Sequence, residues 1–322
     1  MIKDQNSKRI MIFLAFAFGI PWAAALTVSL IGMTKSSPLQ AISLANTVFI
    51  FTPWLANVAA RLITKEGWGN LLLRPNLKRG WRFYLGVWLL PLLATAVGAA
   101  AFYLLFPGSF DPNLGVVRNL LESTPAAAGI SPWLFLLSTM ISIVLISTPI
   151  NMVASMGEEF GWRAYLLQKL LDRFAGDGAA QSGAFHASDA RKAALLTGVI
   201  HGVWHWPLLL MGIGLTPGAT IFTPLVYVLF TCAFSVLLSW AVIQSGSVWP
   251  AALGHGAVNG VSSLPGLLLK GTPISLIGPD PTGLIGGVGY TILALVLLFS
   301  RKAFAGEKGT SPERVEPHLT PA

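Results

Sequence analysis

Residues 133–163 read WLFLLSTMISIVLISTPINMVASMGEEFGWR, and positions 133–157 of that stretch contain no Asp, Glu, Lys or Arg. A helix needs about 20 apolar residues to cross a bilayer core of about 30 Å. Three formal charges, Glu158, Glu159 and Arg163, then arrive at the end of the run. An ionised side chain at the bilayer centre costs roughly 2.5–3.5 kcal/mol on insertion scales, so such residues pair with one another or line a watery cavity. The stretch therefore reads as a membrane-crossing helix that delivers a polar site or a buried ion pair.

The rest of the chain has the same character. Of its 322 residues 54% are hydrophobic and 11% charged, against about 25% charged in soluble proteins. Further apolar segments fall at about 10–33, 41–63, 84–106, 194–213, 221–243, 248–269 and 284–299, and none shows the ten-residue alternation of a membrane barrel. The expected fold is all-α, a polytopic bundle of about eight spans. The first segment is too long for a typical signal-peptide core and is read as a retained span. A basic, aromatic linker at 64–83 would suit the headgroup layer or a solvated loop. One helical domain is expected over 1–303, with a polar, disordered tail at 304–322.

Charge orients the bundle. With the N-terminus inside and eight spans, all but Lys35, Arg118 and Lys270 of the 21 Lys and Arg fall on the inner side. That asymmetry predicts cytoplasmic termini and a polar cavity facing the cytoplasm. The net charge of +8 fits membrane orientation and anionic headgroups. No basic face interleaved with aromatics marks a soluble domain, so membrane lipids are expected as partners and nucleic acid is not. The single cysteine, Cys232, lies in an apolar run, which excludes a disulfide framework and a cysteine metal cluster.

Three stretches carry chemistry. Glu159 and Arg163, four apart, share a helical face and can form an ion pair, while Glu158 points about 100° away. This suggests one carboxylate for structure and one for reaction. His201 and His205 repeat the four-residue spacing, and two imidazoles so placed can share a metal. The metalloprotease pattern needs a Glu after the first His, and Gly202 stands there. His255 and Asn259 share a third face among Gly254, Gly256 and Gly260; both can donate to a developing oxyanion. Together these residues can activate water and stabilise a tetrahedral intermediate, although a proton relay or a proton-coupled transporter could use the same groups.

The three stretches in this order resemble the type II CAAX prenyl protease family, also called the CAAX protease and bacteriocin-processing family of intramembrane proteases. Its pattern is Glu-Glu-x-x-x-Arg, then aromatic-x-x-x-His, then His-x-x-x-Asn or Asp. Here it is met by Glu158, Glu159 and Arg163, by His205, and by His255 and Asn259, within a core of about 138–269. The resemblance implies an intramembrane endopeptidase acting on a membrane-associated or lipidated peptide or protein. Glu158 would be the general base with His205 beside the attacking water, His255 and Asn259 would hold the oxyanion, and Glu159 and Arg163 would orient the helix. The chain departs from the pattern at His201, where an aromatic is usual, which leaves room for an extra ligand or donor. Metal-free water activation is expected; the alternative is a divalent metal such as zinc on Glu158, His205 and His255. A non-proteolytic scaffold or bacteriocin-immunity protein is the competing reading.

Overall fold

The computed structural model describes residues 2–124, 129–211, 220–272 and 275–306. Eight principal helices organise them: α1 (Ile2–Leu30), α2 (Pro38–Ile63), α3 (Leu77–Leu105), α4 (Pro132–Ala175), α5 (Ala187–Trp204), α6 (Thr223–Ser245), α7 (Trp249–Val261) and α8 (Val288–Phe299). The fold is an all-α, polytopic membrane bundle. Inside lipid every backbone N–H and C=O must be satisfied within the segment, which helices achieve without a partner chain. Pro21, Pro53 and Pro91 sit inside α1, α2 and α3, and neighbouring helices make such positions tolerable.

Among the described residues six helices, α1 to α6, are long and apolar enough to cross a bilayer. The last two expected spans are shorter as helices. The 13 residues of α7 and 12 of α8 rise only about 20 Å and 18 Å. The sequence explains both breaks: Pro265 and Gly266 open a 3-10 turn at Pro265–Leu268, and 275–287 is rich in Gly and Pro. This irregular segment satisfies itself locally, with Leu284 N donating to Leu276 O at 3.0 Å and Ile285 N to Ile277 O at 2.9 Å. It packs so closely that Gly286 meets Gly98 of α3 backbone to backbone. Irregular backbone at membrane depth is tolerated where protein buries it.

The helix α4 is continuous for 44 residues but contains two π-helical turns, Ile143–Ser147 and Trp162–Leu166. Such turns inside α-helices concentrate at functional sites. The second begins three residues after Glu159. Neighbouring helices approach α4 closely at small residues, a common packing device between membrane helices. A Cβ on Gly161 would lie 2.5 Å from Pro53 of α2, and one on Gly256 of α7 would lie 2.7 Å from Thr148 O of α4. Around this level Phe13, Trp162, Tyr165 and Trp204 are fully buried. Trp204 Nε1 donates to Ala17 O at 2.8 Å and Trp22 Nε1 to Trp204 O at 3.1 Å, fastening α1 to the end of α5.

One end of the bundle gathers the basic residues. There Arg9 of α1 meets Glu66 at 3.3 Å, Arg191 of α5 donates to Ser300 O at 2.9 Å, and Asn76 before α3 donates to Gly246 O at 2.9 Å. Lys270 lies at the opposite end, its backbone N 2.8 Å from Ser109 O. Arg118 lies there too, on a short helix, Gly115–Glu122, whose Val117 and Leu121 pack against Leu267 and Leu268. The linker expected at 64–83 divides: 77–83 opens α3, and only 64–76 remains non-helical. The tail expected to be disordered lies outside the described residues from 307 onward; Phe304, placed in that tail by the sequence reading, is fully buried.

Candidate active site

The polar residues of α4 meet those of α5 and α7 where α2 presses closest. Asn57 Nδ2 of α2 donates to Phe160 O at 2.9 Å, at the join to the second π turn. Glu159 and Arg163 are fully buried. Arg163 Nη1 lies 2.9 Å from Glu159 Oε1, the i,i+4 ion pair that the spacing predicts. The same oxygen accepts from His255 Nδ1 of α7 at 2.8 Å. Glu158, on the adjacent face, reaches α5 instead, and its Oε2 lies 3.0 Å from His201 Nε2.

Hydrogen-bond chemistry assigns the ring protons. A guanidinium only donates, so the 3.4 Å contact from Arg163 Nη1 makes His201 Nδ1 an acceptor. His201 then carries its proton on Nε2 and donates it to Glu158. A carbonyl only accepts, so His205 Nδ1, 3.1 Å from His201 O, is the protonated nitrogen of that ring. Its Nε2 lone pair is free for a proton or a metal. The network thus runs Glu158, His201, Arg163, Glu159, His255 without a break. Aromatic walls enclose it: the Trp162 ring stacks on His201 with centroids 5.3 Å apart, Tyr227 lies 5.1 Å from His205, and Phe234 meets His255 edge-on at 5.1 Å.

All seven residues singled out from the sequence are accounted for. Six of them, Glu158, Glu159, Arg163, His201, His205 and His255, converge within this network and its rings. Asn259, one turn beyond His255, stands at its edge, exposed, with Nδ2 3.5 Å from Ser155 Oγ of α4. Sequence reasoning passed over Ser155, Trp162 and Tyr227. Trp162 lies within the quoted motif, whereas nothing in the local pattern marks Ser155 or Tyr227.

The candidate metal ligands differ from the set expected. Glu158, His201 and His205 each offer a ligand atom, all within 4.8 Å of one another. His201 stands where His255 was expected, because His255 is turned onto Glu159 while the α5 pair faces Glu158. One carboxylate and two imidazoles are a donor set that zinc uses in catalytic sites, with a further position left for water. His205, with its Nε2 lone pair available and its Nδ1 held by a carbonyl, has the arrangement usual for a ligating histidine. The three residues form a candidate divalent-metal cluster, in which His201 would ligate only after giving up the Nε2 proton that it donates to Glu158 and turning Nδ1 from acceptor to donor. Metal-free water activation remains open beside it.

Fold and site together define a polytopic membrane protein with a buried Glu/His centre. Residues 140–261, from within α4 to the end of α7, match the family described as type II CAAX prenyl endopeptidase, Rce1-like. An Rce1-like CAAX protease domain thus occupies this part of the chain, and it contains the entire site. No curated protein matches the chain.

Proposed function

We propose that the protein is an intramembrane endopeptidase that hydrolyses a peptide bond of a membrane-associated or lipidated substrate, with both termini in the cytoplasm. The observation that carries this reading is the Glu158 carboxylate held 3.0 Å from His201, with His205 one turn away. In the reaction Glu158 takes a proton from water as the water oxygen attacks the scissile carbonyl. Glu158 then returns that proton to the departing amine. His205, through Nε2, orients the water. His255 and Asn259, four apart on α7, stabilise the oxyanion. For His255 to donate from Nε2 its ring must be an imidazolium, and the Glu159 carboxylate on Nδ1 is the counter-charge this form needs.

A divalent metal held by Glu158, His201 and His205 would polarise the carbonyl and acidify water at the same place. The placing of the substrate near the lipid is supported by the surroundings of the site. Asn259 reaches the surface of the bundle, and the α4 face bearing Ile146, Ile150 and Val153 is exposed.

The test is cleavage of membrane-anchored peptides by the purified protein, followed by mass spectrometry of the products. Wild type should cleave, His205→Ala should not, and a chelator should slow the wild type if the metal is used. Cleavage by His205→Ala at the wild-type rate would remove the proposed centre from the reaction.

A further inference from the structure

A second polar region lies at the basic end of the bundle. It is a cavity of about 710 Å³, and none of Glu158, His201, His205, His255 or Asn259 lines it. Its walls come from the ends of α1, α2, α3, α4 and α6, from the 64–76 linker, from the 178–185 segment, and from the chain after α8. Five cations line it, Arg9, Arg61, Arg79, Lys169 and Lys302, against the two carboxylates of Glu66 and Asp172.

The distribution of those charges is unusual. Three of the cations converge on one carboxylate: Lys169 Nζ and Arg61 Nη1 approach Glu66 Oε1, and Arg9 approaches Glu66 Oε2. The Tyr165 hydroxyl donates to the same carboxylate at 3.1 Å. Burial alone pushes Glu66 up, but the Lys169 hydrogen bond and the three positive charges outweigh it and hold Glu66 below the usual carboxylate range. Arg61 and Lys169 are themselves buried, at 4% and 9% exposure. Buried charge persists where it is compensated, and one carboxylate leaves this group with two positive charges in excess. Asp172 offsets one of these while accepting from Ala180 N at 2.9 Å. Exposed Lys302 adds one more. Lys302 has no side-chain hydrogen bond or ion pair among the described residues.

We propose that this cavity is an anion site that takes a phosphate group, from a phospholipid headgroup or from free phosphate. Its volume is in the range of small-molecule sites. Arginine forks suit phosphate oxygens bidentately, and lysine supplies a point charge. The site also has a mechanical connection to the hydrolytic centre, independent of which reaction occurs there. Glu66, Asn70 and Leu72 line the cavity, and Leu72 O accepts from Val248 N at 2.9 Å, at the start of the helix that carries His255. Lys65 and Leu72 have positive φ, a strained conformation for these residues that persists where surroundings fix it. An anion bridging Lys302 to the Glu66 group would brace this linker.

The experiment follows thermal unfolding of the purified protein in uncharged detergent with added inorganic phosphate, against chloride at equal ionic strength. The same measurement is made in nanodiscs of phosphatidylcholine with or without phosphatidylglycerol. Phosphate or the anionic lipid should raise Tm, with the apparent affinity about tenfold weaker in Lys302→Gln and unchanged in Lys270→Gln at the far end. Stabilisation by phosphatidylglycerol that inorganic phosphate competes away identifies the headgroup as the source, and stabilisation by inorganic phosphate alone identifies the free ion. No rise in Tm above the chloride control, or equal responses of wild type, Lys302→Gln and Lys270→Gln, would overturn the proposal.

Discussion

His255 Nδ1 lies 2.8 Å from Glu159 Oε1, the same oxygen that Arg163 Nη1 approaches at 2.9 Å. One buried carboxylate oxygen therefore ties the middle of α7 to α4, beside the second π turn. Glu159→Gln removes the charge that two cationic or donor groups share and leaves Arg163 buried and unpaired. Breaking such a pair costs about 3–5 kcal/mol. The expected outcome is a marked fall in Tm, measured by a thiol-independent unfolding assay in detergent.

The approach of α2 to α4 sets the level of the motif residues. Gly161→Ala places a methyl group 2.5 Å from Pro53, and no flexible side chain is there to yield. Overpacking of this kind costs about 1–3 kcal/mol. Because the displaced segment lies between Glu159 and Arg163, turnover should fall together with stability. A variant with a lower Tm and undiminished turnover would separate the helix contact from the site.

The Glu66 group gives stability a defined acid limb. Its folded-state pKa is depressed, so its contribution is present above the unfolded value, near 4.3, and is lost as pH falls through the folded value. Wild type should therefore lose stability on acidification below about pH 4.3. Glu66→Gln should be less stable at neutral pH and show a flatter acid limb, as read from Tm against pH.

Zinc titration distinguishes the two ligand sets. If Glu158, His201 and His205 hold the ion, His201→Ala should weaken binding by about 100-fold or more, since even outer partners of a metal site cost 10–100-fold. His255→Ala should change affinity by no more than about tenfold. Calorimetry on the purified variants reads this directly, and the reverse order would restore His255 to the ligand set.

The quoted stretch contained more of this architecture than its length suggests. An uncharged run ending in Glu158 and Glu159 read as a membrane helix with a polar site or a buried ion pair at its end, and the Glu159–Arg163 pair followed from spacing alone. The His201–His205 spacing also carried the metal geometry, but Gly202 in the place of a catalytic Glu argued against it. The carboxylate arrives from Glu158 on another helix, which no local pattern can reveal. Ser155 and Tyr227 were missed for the same reason, since each enters the site through contact between helices. The endings of α7 and α8 were read too long because apolar composition continues past Val261 and before Val288, while Gly and Pro decide the backbone there.

In the proposed reaction Glu158 is the group that takes the proton from water. Its most direct test is single-turnover cleavage of a membrane-anchored peptide by wild type and Glu158→Gln, with Tm measured on both. A base removed without loss of fold should lower the rate by about 10²- to 10⁴-fold. Cleavage by folded Glu158→Gln at the wild-type rate would contradict the mechanism.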